Sequence, residues 1–186
     1  MELLGDRVKL RSVDDSDIAD LYNWWNDPEF SGEYGSLEPQ KSMREIQEMV
    51  RIAPCFIISS RTEAKKIGFI DYYWTRSDYP YLFEIGYRIK PSERRKGYTT
   101  EAARLLVDYL FTTKKDIERI ESVTETGNLP SQRVLEKNGF KREGELRKRV
   151  LNKNGQYRNE YMYGLLREEW RSLKACSPPE THHLKS

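Results

Sequence analysis

Three cations and a glycine, Arg94-Arg95-Lys96-Gly97, stand between a stretch of strand periodicity and one of helical periodicity. Backbone N–H groups at a helix start lack intrahelical acceptors and carry partial positive charge. With cations beside them, and a glycine that admits a ligand close to the main chain, they suit a phosphate or pyrophosphate. A tight strand-to-helix turn with solvated charges has the same spacing, so the junction alone names no ligand. Two familiar phosphate loops are excluded: no G-x-x-x-x-G-K-S/T run occurs, and Gly97 lacks the companions of G-x-G-x-x-G.

Other chemistries are poorly supplied. Both histidines, His182 and His183, fall in a polar C-terminal stretch, so the folded body offers no imidazole base. No G-x-S-x-G elbow is present, Cys55 has no histidine partner, and no metal-ligand spacing is seen. Covalent and metal-assisted routes are therefore not expected. Direct attack, helped by carboxylates and hydroxyls, is left.

The elements that position the junction follow from periodicity. Tyr81, Phe83, Ile85, Tyr87 and Ile89 alternate with Leu82, Glu84, Gly86 and Arg88, as in a strand that Pro91 stops. From Tyr98 the apolar spacing is helical, through Ala102, Leu105, Leu106 and Tyr109, to about Thr113. Ile117–Glu125 is then a strand after a helix, the order of a parallel crossover. Asn128 is a natural cap with Pro130 in the first turn, and Asn138-Gly139 is a stop. Phe140–Leu151 and Gln156–Leu166 form a hairpin over the turn Asn152–Gly155. Upstream, Arg7–Val13 reads as a strand and Ile18, Leu21, Tyr22 and Trp25 as the apolar stripe of a helix, with Trp24 off the stripe and exposed. Asn26-Asp27-Pro28 ends that helix, and Glu29–Pro39 is an acidic loop. Ser42-Met-Arg-Glu45 is a capping box for a second helix, and Cys55–Ser59 and Lys66–Trp74 are strands. Arg76–Pro80 is a turn. One domain is expected over 1–170, with a disordered tail over 171–186.

The net charge of +2 hides an asymmetry: residues 1–40 hold ten acids and three bases, leaving the remainder at +9. An acidic wall opposite a basic one fits a cationic acceptor and an anionic cofactor, and solvated faces fit equally. So low a total argues against nucleic acid as a partner. No apolar run approaches 18 residues and no signal peptide is visible, so a cytoplasmic protein without a membrane partner is expected. Cys55 and Cys176, in unlike surroundings, predict no disulfide.

The junction, the element order and a second motif thirty residues on together resemble the GCN5-related N-acetyltransferases (GNAT), from about Arg7 to Arg167. The family signature Q/R-x-x-G-x-G/A reads Arg94-Arg-Lys-Gly97-Tyr-Thr99, with Thr in the last place and Arg95 where many relatives have glycine. Gly97-Tyr-Thr-Thr-Glu-Ala102 and Asn128-x-x-Ser131…Glu136-Lys-Asn-Gly-Phe140 resemble the branch of ribosomal-protein N-terminal, spermidine and aminoglycoside acetyltransferases. The resemblance implies a single α/β (α+β) domain. Its mixed sheet of about seven strands would splay open at the fourth and be flanked by four helices.

It also implies acetyl-CoA as co-substrate and no metal. The pantetheine arm would pair with the backbone of Tyr87 and Ile89. The pyrophosphate would take amides of Arg95, Lys96, Gly97, Tyr98, Thr99 and Thr100, supported by the charges of Arg94 and Lys96. Asn128 and Ser131 would approach from the other strand. The acceptor would be an amine, first a protein N-terminus and alternatively a small cationic amine such as a polyamine or aminoglycoside, and the enzyme a monomer or homodimer; a non-catalytic module that senses acetyl-CoA is the other alternative. Glu84 is the expected base, with a strand-face pairing to Arg88 as the alternative. Ser131 is the expected proton donor to the leaving thiolate, unless its hydroxyl caps the helix or a tyrosine takes the task. The first two helices would form an acidic acceptor wall, facing Arg142, Arg147, Lys148 and Arg149 of the hairpin.

Overall fold

A computed structural model describes residues 1–34, 39–75 and 82–176. One eight-stranded sheet runs through them, in the order β1-β2-β3-β4-β5-β6-β8-β7. Its strands are β1 (Glu2–Leu4), β2 (Val8–Ser12), β3 (Cys55–Ser60), β4 (Lys66–Trp74), β5 (Leu82–Ile89), β6 (Arg119–Glu125), β7 (Lys141–Leu151) and β8 (Tyr157–Leu166). The helices are α1 (Ile18–Asn26), α2 (Pro28–Ser31), α3 (Met43–Ile52), α4 (Tyr98–Thr113), α5 (Leu129–Lys137) and α6 (Arg167–Cys176).

Three expectations are corrected. Among the described residues there are eight strands where about seven were expected, because β1, three residues long, is held by antiparallel pairing to β2. The expected fourth strand is thus β5. Among the same residues six helices stand where four were expected: Asp27 ends α1 and also caps α2, accepting from the Glu29 N–H with Pro28 in the first turn. The tail expected from residue 171 is helical to Cys176. Trp170 of α6 donates to Asp108 of α4 at 2.7 Å and packs on Phe111 with ring centroids 5.3 Å apart. Residues 177–186, with both histidines, lie outside the described residues, as do 35–38, the turn at 76–80 and Tyr81.

The sheet has a core on each face. One unites Ile18, Leu21, Trp24, Phe30 and Ile46 of α1–α3 with Cys55, Ile57 and Phe69. Trp24, expected to be exposed, is 7% exposed and stacks on Phe30 with centroids 5.3 Å apart. The opposite core packs Ala102, Leu105, Leu106 and Leu110 of α4 against Ile85 and Ile89 of β5, Ile120 of β6 and the first two strands.

The pairing of β5 with β6 positions the site. It is parallel and covers Leu82↔Arg119, Phe83↔Ile120 and Glu84↔Glu121. Beyond that, β5 stays with β4 as far as Ile89, while β6 follows β8 to Glu125. The Ser122 hydroxyl, donating to the Ile85 carbonyl at 3.0 Å, marks the fork. On the β4 side the strands run close at Gly68, where a Cβ would collide with the Arg88 carbonyl and the Ile89 Cα. Gly68→Ala is expected to cost about 1–3 kcal/mol, read as a lower urea midpoint at unchanged m-value.

Candidate active site

The fork opens a cleft of about 310 Å³ between β5 and β6. Glu84, Tyr87, Asn128 and Ser131, all expected from the sequence, line it together. Alternation along β5 sends Glu84, Gly86 and Arg88 toward α1–α3, and Ile85, Tyr87 and Ile89 toward α4.

On the α4 side, the Tyr87 hydroxyl and Ser131 Oγ are 2.9 Å apart. The Ser131 hydroxyl does not cap α5. That role falls to Asn128, whose Oδ1 accepts the Ser131 N–H at 3.2 Å. Tyr87 is thus the tyrosine that shares Ser131's position. Burial pushes its hydroxyl pKa up, with the bond to Ser131 opposing, so it stays protonated at neutral pH.

On the other side stand four carboxylates: Asp71, Glu84, Glu125 and Glu160. Glu84 is raised above the usual carboxylate range by burial, the Tyr73 hydroxyl bond opposing and Glu121 and Glu160 adding to the rise. Its partner is Tyr73, not Arg88. The Arg88 guanidinium lies 4.4 Å from the Trp25 ring centroid and donates to Ser31 Oγ at 3.3 Å. Burial also raises Glu160, against Arg149. Asp71 is pushed up to about 7, chiefly by burial, with Arg88 opposing and Glu84 adding. Trp25, Tyr34, Phe69 and Tyr73 supply aromatic wall.

The acidity of the cleft comes from β4, β5, β6 and β8 rather than from the first two helices. Asp17 is bound by Arg11 at 2.7 Å and Lys66 at 2.8 Å, and Asp20 by Lys66 at 2.7 Å. Those helices contribute Trp25 instead. The hairpin contributes Glu160 to the lining, while Arg142 stacks on Tyr161 at 4.5 Å. Asp71, Glu125 and Glu160 were not singled out from the sequence. An acid inside the apolar run Ile67-Gly-Phe-Ile-Asp-Tyr-Tyr-Trp74 was the available signal, since a buried carboxylate is costly without a use.

The phosphate junction continues from the far end of β5, beyond the cleft lining. Gly97 caps α4 in a left-handed conformation, φ +85°, with no side-chain hydrogen bond at the cap. Arg95 is also left-handed, φ +62°, a conformation that glycine adopts at lower cost. The Tyr98 side chain is buried, which leaves its backbone amide as its polar group at the start of α4. Two of the expected charges are engaged elsewhere. Arg94 Nη2 donates to the Glu29 and Phe30 carbonyls at 2.9 and 2.8 Å, and Lys96 pairs with buried Glu93 at 3.0 Å. The guanidinium of Arg7 comes close instead, 4.7 Å from the Tyr98 ring centroid.

The model of an acetyltransferase (GNAT) domain matches residues 7–141. A Bacillus subtilis protein described as N-acetyltransferase YnaD is 36% identical over 115 residues, 62% of this chain and 65% of that relative. The spermidine N-acetyltransferase of Vibrio cholerae, solved with CoA and spermine, superposes with a TM-score of 0.78 at 21% identity, covering 90% of this chain and 99% of that one. The ribosomal-protein-S5-alanine acetyltransferase of Vibrio fischeri gives 0.74 at 20% identity, covering 91% and 98%. A sheet forked beside a basic, glycine-started helix, and a domain match over most of the described chain, agree: the chain belongs to the GNAT acetyltransferase family.

Proposed function

We propose that the protein transfers an acetyl group from acetyl-CoA to a cationic primary amine, by direct attack in a ternary complex, with a protein N-terminal α-amine as acceptor. The observation that carries this reading is the cleft at the β5–β6 fork, with Glu84 on one side and the Tyr87–Ser131 hydroxyl pair on the other. Acetyl-CoA supplies the activated acyl group. The residues fit it: free main-chain positions of Tyr87 and Ile89 past the fork for the pantetheine arm, and amides of residues 95–100 at the uncapped start of α4 for the pyrophosphate. Asn128 holds Ser131 in place beside the arm.

Glu84 takes a proton from the amine, and its raised pKa makes it a stronger base than an ordinary carboxylate. The hydroxyl pair protonates the leaving sulfur. An α-amine, with a pKa of about 8, presents roughly a tenth of its population neutral at pH 7, and a lysine amine far less. Ser131→Ala is expected to lower kcat roughly tenfold, less than a lone acid would lose, because Tyr87 remains. KM for acetyl-CoA should stay constant, and steady-state thiol release reads both.

The second reading, a small polycation such as a polyamine or aminoglycoside, is favoured by the four carboxylates around the cleft. A panel separates the two: peptides with free and blocked N-termini, spermidine and an aminoglycoside, each with acetyl-CoA and thiol release as readout. Release with free but not blocked peptides supports the α-amine. A higher kcat/KM for spermidine or the aminoglycoside selects the second reading. Silence with every amine overturns acetyl transfer.

A further inference from the structure

An amine nitrogen loses two protons between its ammonium form and the finished amide, one before attack and one as the C–N bond forms. Glu84 accounts for one. We propose that Asp71 is a second catalytic carboxylate, taking the proton from the acceptor ammonium ahead of attack while Glu84 takes the later one. This rests on the acetyltransfer reading above.

The placement comes from register. In the antiparallel β4–β5 pair Asp71 stands opposite Gly86 and Tyr73 opposite Glu84. Both carboxylates therefore lie on one sheet face as diagonal neighbours, ~7–8 Å apart at the backbone and closer at their side chains. Both line the same cleft. Gly86 makes the room: a Cβ there would come within 2.7 Å of Asp71 Oδ1. The carboxylate also accepts from the backbone of Gly86 and of Asp71 itself, and the other side chains around it are apolar or weakly polar: Cys55 opposite it on β3, Trp25 of α1, and Met49 and Val50 of α3. The charged groups facing it are Arg88 and Glu84, both on β5. A carboxylate with a pKa of about 7 is part-ionised at neutral pH and holds an abstracted proton well.

The steps balance. Asp71 takes one ammonium proton, and the freed lone pair forms the C–N bond to the acetyl carbon. Glu84 takes the surplus proton from nitrogen as the C–S bond breaks. Sulfur takes a proton from the Tyr87–Ser131 pair, which water refills. The ammonium has lost two protons and the thiol has gained one, so each turnover releases one.

Asp71→Asn and Gly86→Ala test it, the second moving the carboxylate without removing it. Kcat is measured against pH with the best amine of the panel, and Tm at about pH 4 and pH 8. Wild-type kcat should rise with pH through about 7, the value to which burial lifts Asp71. In Asp71→Asn kcat should fall at least roughly tenfold and lose that rise, with KM for acetyl-CoA within about twofold. Gly86→Ala should lower kcat in the same direction.

Stability reads the raised pKa of the carboxyl directly, while the pH profile of kcat reads its part in turnover. A carboxyl whose folded pKa is raised costs stability once pH exceeds its unfolded value of about 3.9, and the full cost is reached above the folded pKa. Asp71→Asn should therefore raise Tm at pH 8 and leave it nearly unchanged at pH 4. Unchanged kcat in Asp71→Asn, a surviving rise near 7, or a lower Tm at both pH values would each overturn the assignment while leaving acetyl transfer standing. A wild-type protein silent with every amine would remove both.

Discussion

Glu84→Gln is expected to lower kcat by about 10²–10⁴-fold, worth ~3–5 kcal/mol of barrier, while acetyl-CoA affinity stays within about twofold. Glu84 is the last residue of β5 paired with β6, so its backbone is held from both sides and the substitution leaves the fork intact. The side chain is nearly isosteric, and its carbonyl can still accept from Tyr73. What is lost is the ability to take a proton. Steady-state thiol release gives kcat, and calorimetry with coenzyme A gives affinity. Turnover lost with binding kept is the signature of a base, and it separates an enzyme from a module that only senses acetyl-CoA. Turnover retained would take Glu84 out of the mechanism.

Arg167→Ala should cost about 3–5 kcal/mol of stability, lowering Tm by roughly 10 °C or more for a chain of this size. Arg167 is 4% exposed. Its Nε donates to the Ile117 carbonyl, Nη1 to Phe111 and Nη2 to Lys114, each at 2.7 Å. Its own N–H donates to the Glu118 carbonyl at 2.9 Å. One planar fork thus satisfies carbonyls left over at the end of α4 and fixes the turn into β6. Truncation strands the Phe111 and Ile117 carbonyls in the interior, where each unsatisfied group costs about 1–3 kcal/mol, while the Lys114 carbonyl keeps the Ile117 N–H. Arg167→Lys should recover only part of the loss, because a point-like ammonium cannot span three directions. Chemical denaturation checks both variants. A loss below about 1 kcal/mol would mean that water replaces the guanidinium at little cost.

The helices and strands around the fork were legible because local spacing encodes them. Alternation marked β5, a switch to helical spacing marked α4, Asn128 and Pro130 marked the start of α5, and Asn152–Gly155 marked the hairpin turn. Elements that are very short or held by distant partners were missed. β1 exists through its ladder to β2, and α6 through Trp170 and Lys174 reaching Asp108 of α4. Charge was misread for the same reason. The acids of the first forty residues and the cations Arg94 and Lys96 were counted as available, yet Lys66 binds Asp17 and Asp20 from far along the chain, Arg94 donates to the Glu29 and Phe30 carbonyls, and Lys96 pairs with its neighbour Glu93.

The site divides along the same line. Residue order alone determined the glycine-started helix, the family signature around it, and the types and positions of Glu84, Tyr87, Asn128 and Ser131. Tertiary structure decided that Tyr87 and Ser131, 44 residues apart, share a hydrogen bond, and that Asp71 stands against Gly86. It also decided that four carboxylates meet on one cleft. Periodicity and capping act over a few residues of chain, so a single sequence displays them. Strand register and ion-pair choice are settled by which surfaces meet when the sheet assembles, and no local pattern records that.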